Sequence, residues 1–436
     1  MKKLFDIDLK NYDPSWEVFS RPSARSIIFP DVPAADVAPQ FADMYVSEVK
    51  VSAGFQGNRR VSGSTRIVMA YVSKYGYYKF PGGGIHDDED KVAALIRETA
   101  EETGLEVIPE SVIEAGVVGR RQKSIVTGNT VFSQDNFYYF CDVRSLVPGA
   151  QNLDDYEAED GFEFKITTID EAVEANMHMT STDPFDFVMA YREARILNML
   201  AGKQTEPSRA FAEYLLSEAA AKNPGPWEAH SLAVARAAEK IARAVNDAQV
   251  SEVKGGVDAS RATARVNERD RCNNSDRSPK LVQGSLIPSL NPELAYVYGL
   301  LHDIGRQEGY TYLAHVWDGY RFLMDLGFEN AARICLTHSF NLQDYDDYIG
   351  KRDVSDETAA HIRSLLESYT YDDYDRLIQV LDSTCGADGT LDLEARMSDV
   401  KVRYGYYPEG KWNKNFELKD YFEKLMGKPY YDVLRG

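Results

Sequence analysis

The apolar residues of this chain change their period near residue 207, and that change decides what it can fold into. Before it, short segments with strand character at 25–29, 65–72, 77–80, 113–119, 137–143 and 162–166 alternate with helical stretches at 92–103, 170–176 and 185–200. After it, residues 210–221, 227–245, 292–305, 316–326, 330–338, 356–368 and 374–382 all carry helical patterning. A single core stops growing at roughly 250 to 300 residues, and the chain has 436. Two domains follow. The spacing predicts an α/β (α+β) sandwich with a mixed sheet over 1–202, a polar linker containing Pro207 over 203–209, and an all-α bundle over 210–436. Between 247 and 291 the chain turns polar and rich in Ser, Asn, Gly, Arg and Asp, which predicts a disordered insertion, its arginines Arg261, Arg265, Arg269, Arg271 and Arg277 included. No internal repeat is visible.

A formal net charge of -20 excludes non-specific binding to a nucleic acid backbone, so an anionic substrate has to be met locally, by metal ions or a basic patch. No stretch approaches the roughly 18 apolar residues that span a bilayer. The opening MKKLFDIDLK turns acidic where a secretory signal would turn apolar. Cys141, Cys272, Cys335 and Cys385 are scattered without a Cys-x-x-Cys spacing, which fits reduced structural thiols in a cytoplasmic protein.

The densest chemistry lies in residues 83–105, GGIHDDEDKVAALIRETAEETGL. On a helical wheel Leu95, Ile96, Thr99 and Thr103 cluster with Val92, while Glu98, Glu101 and Glu102 share another arc. One face packs and its neighbour gathers three carboxylates. Like charges three and four residues apart repel, and a divalent cation reverses the sign. Carboxylate oxygens suit hard ions such as Mg²⁺ or Mn²⁺, which also bind substrate phosphates. The glycines after Pro81 allow a loop to bring backbone close to the same place.

These residues resemble the Nudix hydrolase motif: Gly, five residues, Glu, seven residues, then Arg-Glu-apolar-x-Glu-Glu-x-Gly-apolar. The chain supplies Gly83, Glu89, Arg97, Glu98, Glu101, Glu102, Gly104 and Leu105, and departs from the pattern at Thr99, where the family favours an aliphatic residue. The resemblance implies that Glu98, Glu101 and Glu102 are catalytic and bind the metals, that Arg97 pairs with Glu89 to hold the loop against the helix, and that the reaction is hydrolysis of a nucleoside diphosphate linked to another group. For substrate contacts the candidates are Arg120 and Arg121 in the run Arg120-Arg121-Gln122-Lys123, and Arg59-Arg60, although exposed basic turns are the plainer reading of both. Glu157 and Glu159 are candidates for an additional base or ligand, against the plainer reading of a solvated loop.

In the helical half, His230 precedes a stripe through Val234, Ala237, Ala238 and Ile241 and points inward. LAYVYGLLHDIG sets His302 and Asp303 at the end of an apolar helix, and RLIQVLDS sets Asp382 beside another. Inward His and Asp need partners, and imidazole nitrogen with carboxylate oxygen suits Mn, Fe, Co, Ni or Zn. The order His, His-Asp, Asp resembles the HD-domain phosphohydrolases. His315 and His338 resemble the added ligands of two-metal members, which implies that Asp303 bridges the ions and takes part in catalysis. HDIGRQ, residues 302–307, lacks the acidic pair found in hydrolases of the stringent-response alarmone, and no Gly-Tyr-Pro follows His315 as in the cyclic-di-GMP branch. The nearest resemblance is to the bacterial two-metal branch that includes symmetric dinucleoside tetraphosphate hydrolases, with a longer His230–His302 separation filled by the polar insertion.

The expectation is therefore a bifunctional hydrolase of small-molecule nucleotides, with no nucleic acid and no membrane partner. The alternative is an HD enzyme regulated by a Nudix module that senses a nucleotide without cleaving it. Oligomeric state is not legible in the sequence.

Overall fold

The computed structural model describes residues 1–46, 61–256 and 289–436. Arg59-Arg60, Cys272 and the five insertion arginines lie outside the described residues. The chain divides into two compact units, Met1–Phe211 and Ala212–Gly436.

The first unit runs β1 (Lys3–Asp8), β2 (Glu17–Ser20), β3 (Ser23–Ile27), α1 (Ala34–Val46), β4 (Arg66–Val72), β5 (Tyr77–Lys79), α2 (Lys91–Thr103), β6 (Ile113–Lys123), β7 (Thr130–Phe140), α3 (Asp155–Asp160), β8 (Phe162–Thr168), α4 (Ile169–Met177) and α5 (Pro184–Ala201). The mixed sheet has the order β1-β6-β7-β2, with β3 also on β7; only the long β6–β7 pair in it is antiparallel. A second, antiparallel sheet has the order β5-β4-β8. Helix α2 packs on β3 and β8. Ile28, Val68, Leu105, Val107 and Cys141 form one buried cluster, and Ala94 and Leu95 of α2 join Ala24 and Tyr139 in another.

Two expectations change here. The strand expected over 113–119 continues to Lys123, so the basic run is no turn: pleat alternation buries Arg120 and Gln122 and exposes Arg121. Strands β1 and β2 and helix α1 carry no strong sequence period, and pairing with β6 and β7 and packing on that sheet define them. The unit also contains a buried polar network without a sequence signature. Arg192 donates to Glu193 Oε1 at 3.0 Å and Gln134 Oε1 at 3.2 Å, and Glu193 Oε2 accepts the Phe80 amide at 3.3 Å.

The second unit is helical: α6 (Arg209–Lys222), α7 (Pro226–Gly256), α8 (Pro292–Leu301), α9 (Ala314–Leu326), α10 (Glu329–Thr337), α11 (Asp356–Ser368), α12 (Asp373–Thr384), a two-strand hairpin of β9 (Cys385–Gly386) and β10 (Gly389–Thr390), then α13 (Leu393–Tyr404), α14 (Glu409–Met426) and α15 (Tyr430–Arg435). Helix α6 begins three residues before the division between units. Helix α7 packs along α8, α9 along α10, and α12 against α7, α8, α10 and α14. The insertion expected from residue 247 begins too early: α7 continues through 247–256, where Gln, Glu, Lys and Ala are good helix formers, until Gly255-Gly256. The remainder, 257–288, lies outside the described residues. The helix expected over 292–305 stops at Leu301 and passes into a 3₁₀ turn, Ile304–Glu308. Among the described residues no helix is long and apolar enough to cross a membrane.

Candidate active sites

In the first unit Asp90 starts α2 by accepting the Val92 and Ala93 amides, and Gly104 ends it. The helix presents Arg97 to the preceding loop. Its guanidinium grips Glu89 with two prongs, Nε to Oε1 and Nη2 to Oε2, both at 2.9 Å, and donates to the Gly84 carbonyl at 3.0 Å. Nη1 reaches Glu98 at 2.8 Å and Glu101 at 3.0 Å. Hydrogen bonding from Arg97 pulls Glu89 down from 4.5 to about 2. The Glu98 carboxylate lies against Gly83, so a side chain there would push it aside. Thr99, the departure from the family pattern, is fully buried and donates to Ser26 Oγ at 3.1 Å, so its hydroxyl has a partner.

Glu102 takes another direction. It is fully buried, its Oε2 accepts the Gly82 amide at 2.8 Å, and its Oε1 lies 2.7 Å from Lys79 Nζ, itself only 5% exposed. Burial pushes its carboxyl up against the opposing pull of Lys79 and Arg25. Among the described residues, groups of three ligand atoms within 4.8 Å of one another occur in the second unit, and Glu98, Glu101 and Glu102 form no such group. Arg120, expected at substrate, is 1% exposed; it donates to Gln122 and to the Phe185 carbonyl and stacks on the Phe185 ring. Arg121 is exposed on the same strand. Glu157 is buried, and its carboxylate accepts from the Asp154 amide and the Tyr156 hydroxyl; Glu159 is exposed.

In the second unit the expected ligands converge. His230 Nε2 lies 3.0 Å from Asp382 Oδ1, and His302 Nε2 lies 3.7 Å from the same oxygen and 3.9 Å from Asp303 Oδ2. Asp303 Oδ1 lies 3.0 Å from His315 Nε2 and 3.8 Å from His338 Nε2. Two groups result, His230–His302–Asp303 and Asp303–His315–His338, with Asp303 common to both. His302 and His338 are C-caps of α8 and α10, and Asp382 lies in the last turn of α12, so three helix C-termini bring partial negative charge to the centre and favour cations. Gly305 lets the 3₁₀ turn lie on α9, since a Cβ there would strike the His315 carbonyl and the Gly319 backbone.

Protonation follows from the second partners. Nδ1 of His302 and His338 sits 2.7 Å from the carbonyls of Gly299 and Cys335, and His315 Nδ1 meets the Tyr312 carbonyl. With Nδ1 held by a carbonyl, each Nε2 faces carboxylate oxygens, and the buried His302 Nε2 has no hydrogen-bond partner. Burial disfavours a charged His302, but Asp303 and Asp382 beside it raise its pKa. Burial, with His302 adjacent, lowers His338 to about 3 and keeps it neutral. Burial opposes ionisation of Asp303 and Asp382, but Arg306 and the histidines beside Asp303, and His230 and His302 beside Asp382, hold both carboxyls well below the usual range. Imidazole nitrogens gathered around carboxylate oxygens are a donor set that a divalent cation fits, taking the place of the proton that Asp303 and Asp382 favour on His302. The sequence reading missed Arg306, which donates to Asp303 Oδ2 at 2.7 Å; its i+3 spacing from Asp303 was the available signal. His178 and His361 take no part: His178 pairs with Glu174 and His361 stacks on Trp317.

Family models match the chain twice, as a NUDIX domain over residues 62–186 and as an HD domain over residues 227–385. The chain is a Nudix domain followed by an HD domain. Both families are hydrolases of phosphoanhydride and phosphoester bonds that depend on divalent metals. No curated protein matches the chain. Among solved structures, the solution structure of the E. coli ORF135 protein is similar at 15% identity over 37% of this chain and 81% of that chain, with a TM-score of 0.19; nothing about the Nudix or HD unit follows from so slight a likeness.

Proposed function

We propose that the protein is a bifunctional, metal-dependent phosphohydrolase of small nucleotides. The Nudix site would cleave a nucleoside diphosphate-linked pyrophosphate bond, and the HD site a nucleotide phosphate ester or anhydride such as a dinucleoside polyphosphate. The observation that carries the HD half is the sharing of Asp303 between two His-containing groups. His230, His302, Asp303, His315, His338 and Asp382 would hold Mn, Fe, Co, Ni or Zn. Such ions supply charge neutralisation at a phosphoryl group and water activation against phosphorus. Arg306 fixes Asp303 and keeps a guanidinium beside the place where phosphate charge arrives.

In the Nudix half, Glu98 and Glu101 would hold Mg²⁺ or Mn²⁺, and Glu102 would add to them only on giving up its contact with Lys79. Arg121 remains the exposed cation for substrate. The net charge of -20 favours small anions met at these sites over nucleic acids. The buried, free Cys141, Cys335 and Cys385 fit a reducing cytoplasm. A second reading, in which the Nudix unit senses a nucleotide and regulates the HD enzyme, is favoured by that same Lys79–Glu102 pair.

Phosphate release over nucleoside triphosphates, nucleotide sugars, dinucleoside polyphosphates and monophosphates separates the two readings. Two catalytic sites require Glu101→Gln and His302→Ala to remove different subsets of activity. If Glu101→Gln spares every activity, the sensing reading stands in place of the bifunctional one.

A further inference from the structure

Beside the HD histidines lies a cavity of about 130 Å³ that His338 and Asp382 share with residues no ligand assignment covers. Its far walls come from α13 and the start of α14, after residue 385, where the match to the HD family ends. The family core therefore supplies the ions' ligands, and this chain's own C-terminal helices supply the space next to them. Lys411 makes that wall rigid: it is buried, and its ammonium donates to the carbonyls of Ser339 at 2.6 Å and Asp347 at 3.2 Å, tying α14 to the segment after α10.

We propose that this cavity seats one nucleoside monophosphate moiety of the HD substrate, with the phosphate toward His338 and Asp382 and the sugar and base among Tyr348, Tyr407 and Val400. The inference deepens the HD half of the proposed function and rests on it. Size is the first reason: a water takes roughly 10 to 15 Å³ by the same measure, so the space holds on the order of ten waters, enough for one nucleoside and too little for two. Lining is the second. Two tyrosines and a valine offer the flat apolar contacts a base needs, and Ser339 and Asn341 offer polar groups at the sugar's scale. Charge is the third. Arg396 reaches the cavity from α13 with its side chain a third exposed and a 3.5 Å contact to Asp399, and brings a cation to a chain of strong negative charge. The second half of a dinucleoside polyphosphate would then extend beyond the cavity.

The test uses the full-length, metal-loaded protein and isothermal titration with adenosine 5′-monophosphate, ribose 5-phosphate and inorganic phosphate, beside metal content and melting temperature for each variant. Wild type should bind the three in that order of decreasing affinity. Val400→Trp, which fills the cavity, should abolish the advantage of the nucleotide and leave inorganic phosphate binding and metal content unchanged. Arg396→Gln should weaken the nucleotide roughly tenfold or more, the scale of a hydrogen bond to a charged group. A wild type that binds the nucleotide no more tightly than inorganic phosphate or ribose 5-phosphate overturns the proposal, as does a folded, metal-loaded Val400→Trp protein of wild-type nucleotide affinity. Wild-type protein without metal at the HD histidines overturns the parent reading, and the cavity's role with it. The metal measurement thus tells the two failures apart.

Discussion

Glu101 and Glu102 are neighbours with opposite duties. Glu102 neutralises Lys79 in a site closed to water, whereas Glu101 is a third exposed beside Arg97. Removing one member of a buried ion pair costs about 3 to 5 kcal/mol, and removing a partly exposed one costs under about 0.5 kcal/mol. Chemical denaturation should therefore show Glu102→Gln strongly destabilising the Nudix unit, with Glu101→Gln near wild type; equal effects would contradict the buried pairing. Glu89 sets a pH dependence. Its pKa falls from 4.5 in the unfolded chain to about 2 in the folded one, so the stability it contributes is complete above about 4.5 and is lost as pH drops through that value toward 2. Glu89→Gln should flatten the pH–stability curve of the Nudix unit across that window, and a variant as steep as wild type would refute the clamp.

At the level of elements, the HD centre is built from the ends of helices. Histidines at the C-caps of α8 and α10, and one in the first turn of α9, each spend Nδ1 on the carbonyl three residues back, which aims Nε2 at Asp303 and Asp382. A shared carboxylate makes metal content a discriminating measurement. Elemental analysis should find two ions per wild-type HD centre, about one after His230→Ala or His315→Ala, and none after Asp303→Ala. A centre that keeps its full content without Asp303 would disprove the bridging role. Sheets carry the corresponding lesson in the Nudix unit. Arg120 looks solvent-bound in a run of basic letters, yet strand alternation seats it under Phe185.

For the whole molecule, each unit has its own core, and the buried Arg192–Glu193 pair belongs to the first. Calorimetry should resolve two transitions, with Glu193→Ala lowering one by the several degrees that a loss of about 3 to 5 kcal/mol implies and leaving the other in place. A uniform shift of both would argue against separate cores. The sequence by itself determined the two-part plan, because apolar period tracks element type, and it pointed to the residues that gather around Asp303, because His302-Asp303 and the inward His230, His315, His338 and Asp382 stand on apolar helical stripes. Tertiary structure alone decided how Glu102 is used, where Arg120 points, and that α13 and α14 wall a cavity beside Asp382. Those outcomes depend on contacts between residues far apart in the chain, Lys79 with Glu102 and Ser339 with Lys411, and local spacing carries no record of such contacts.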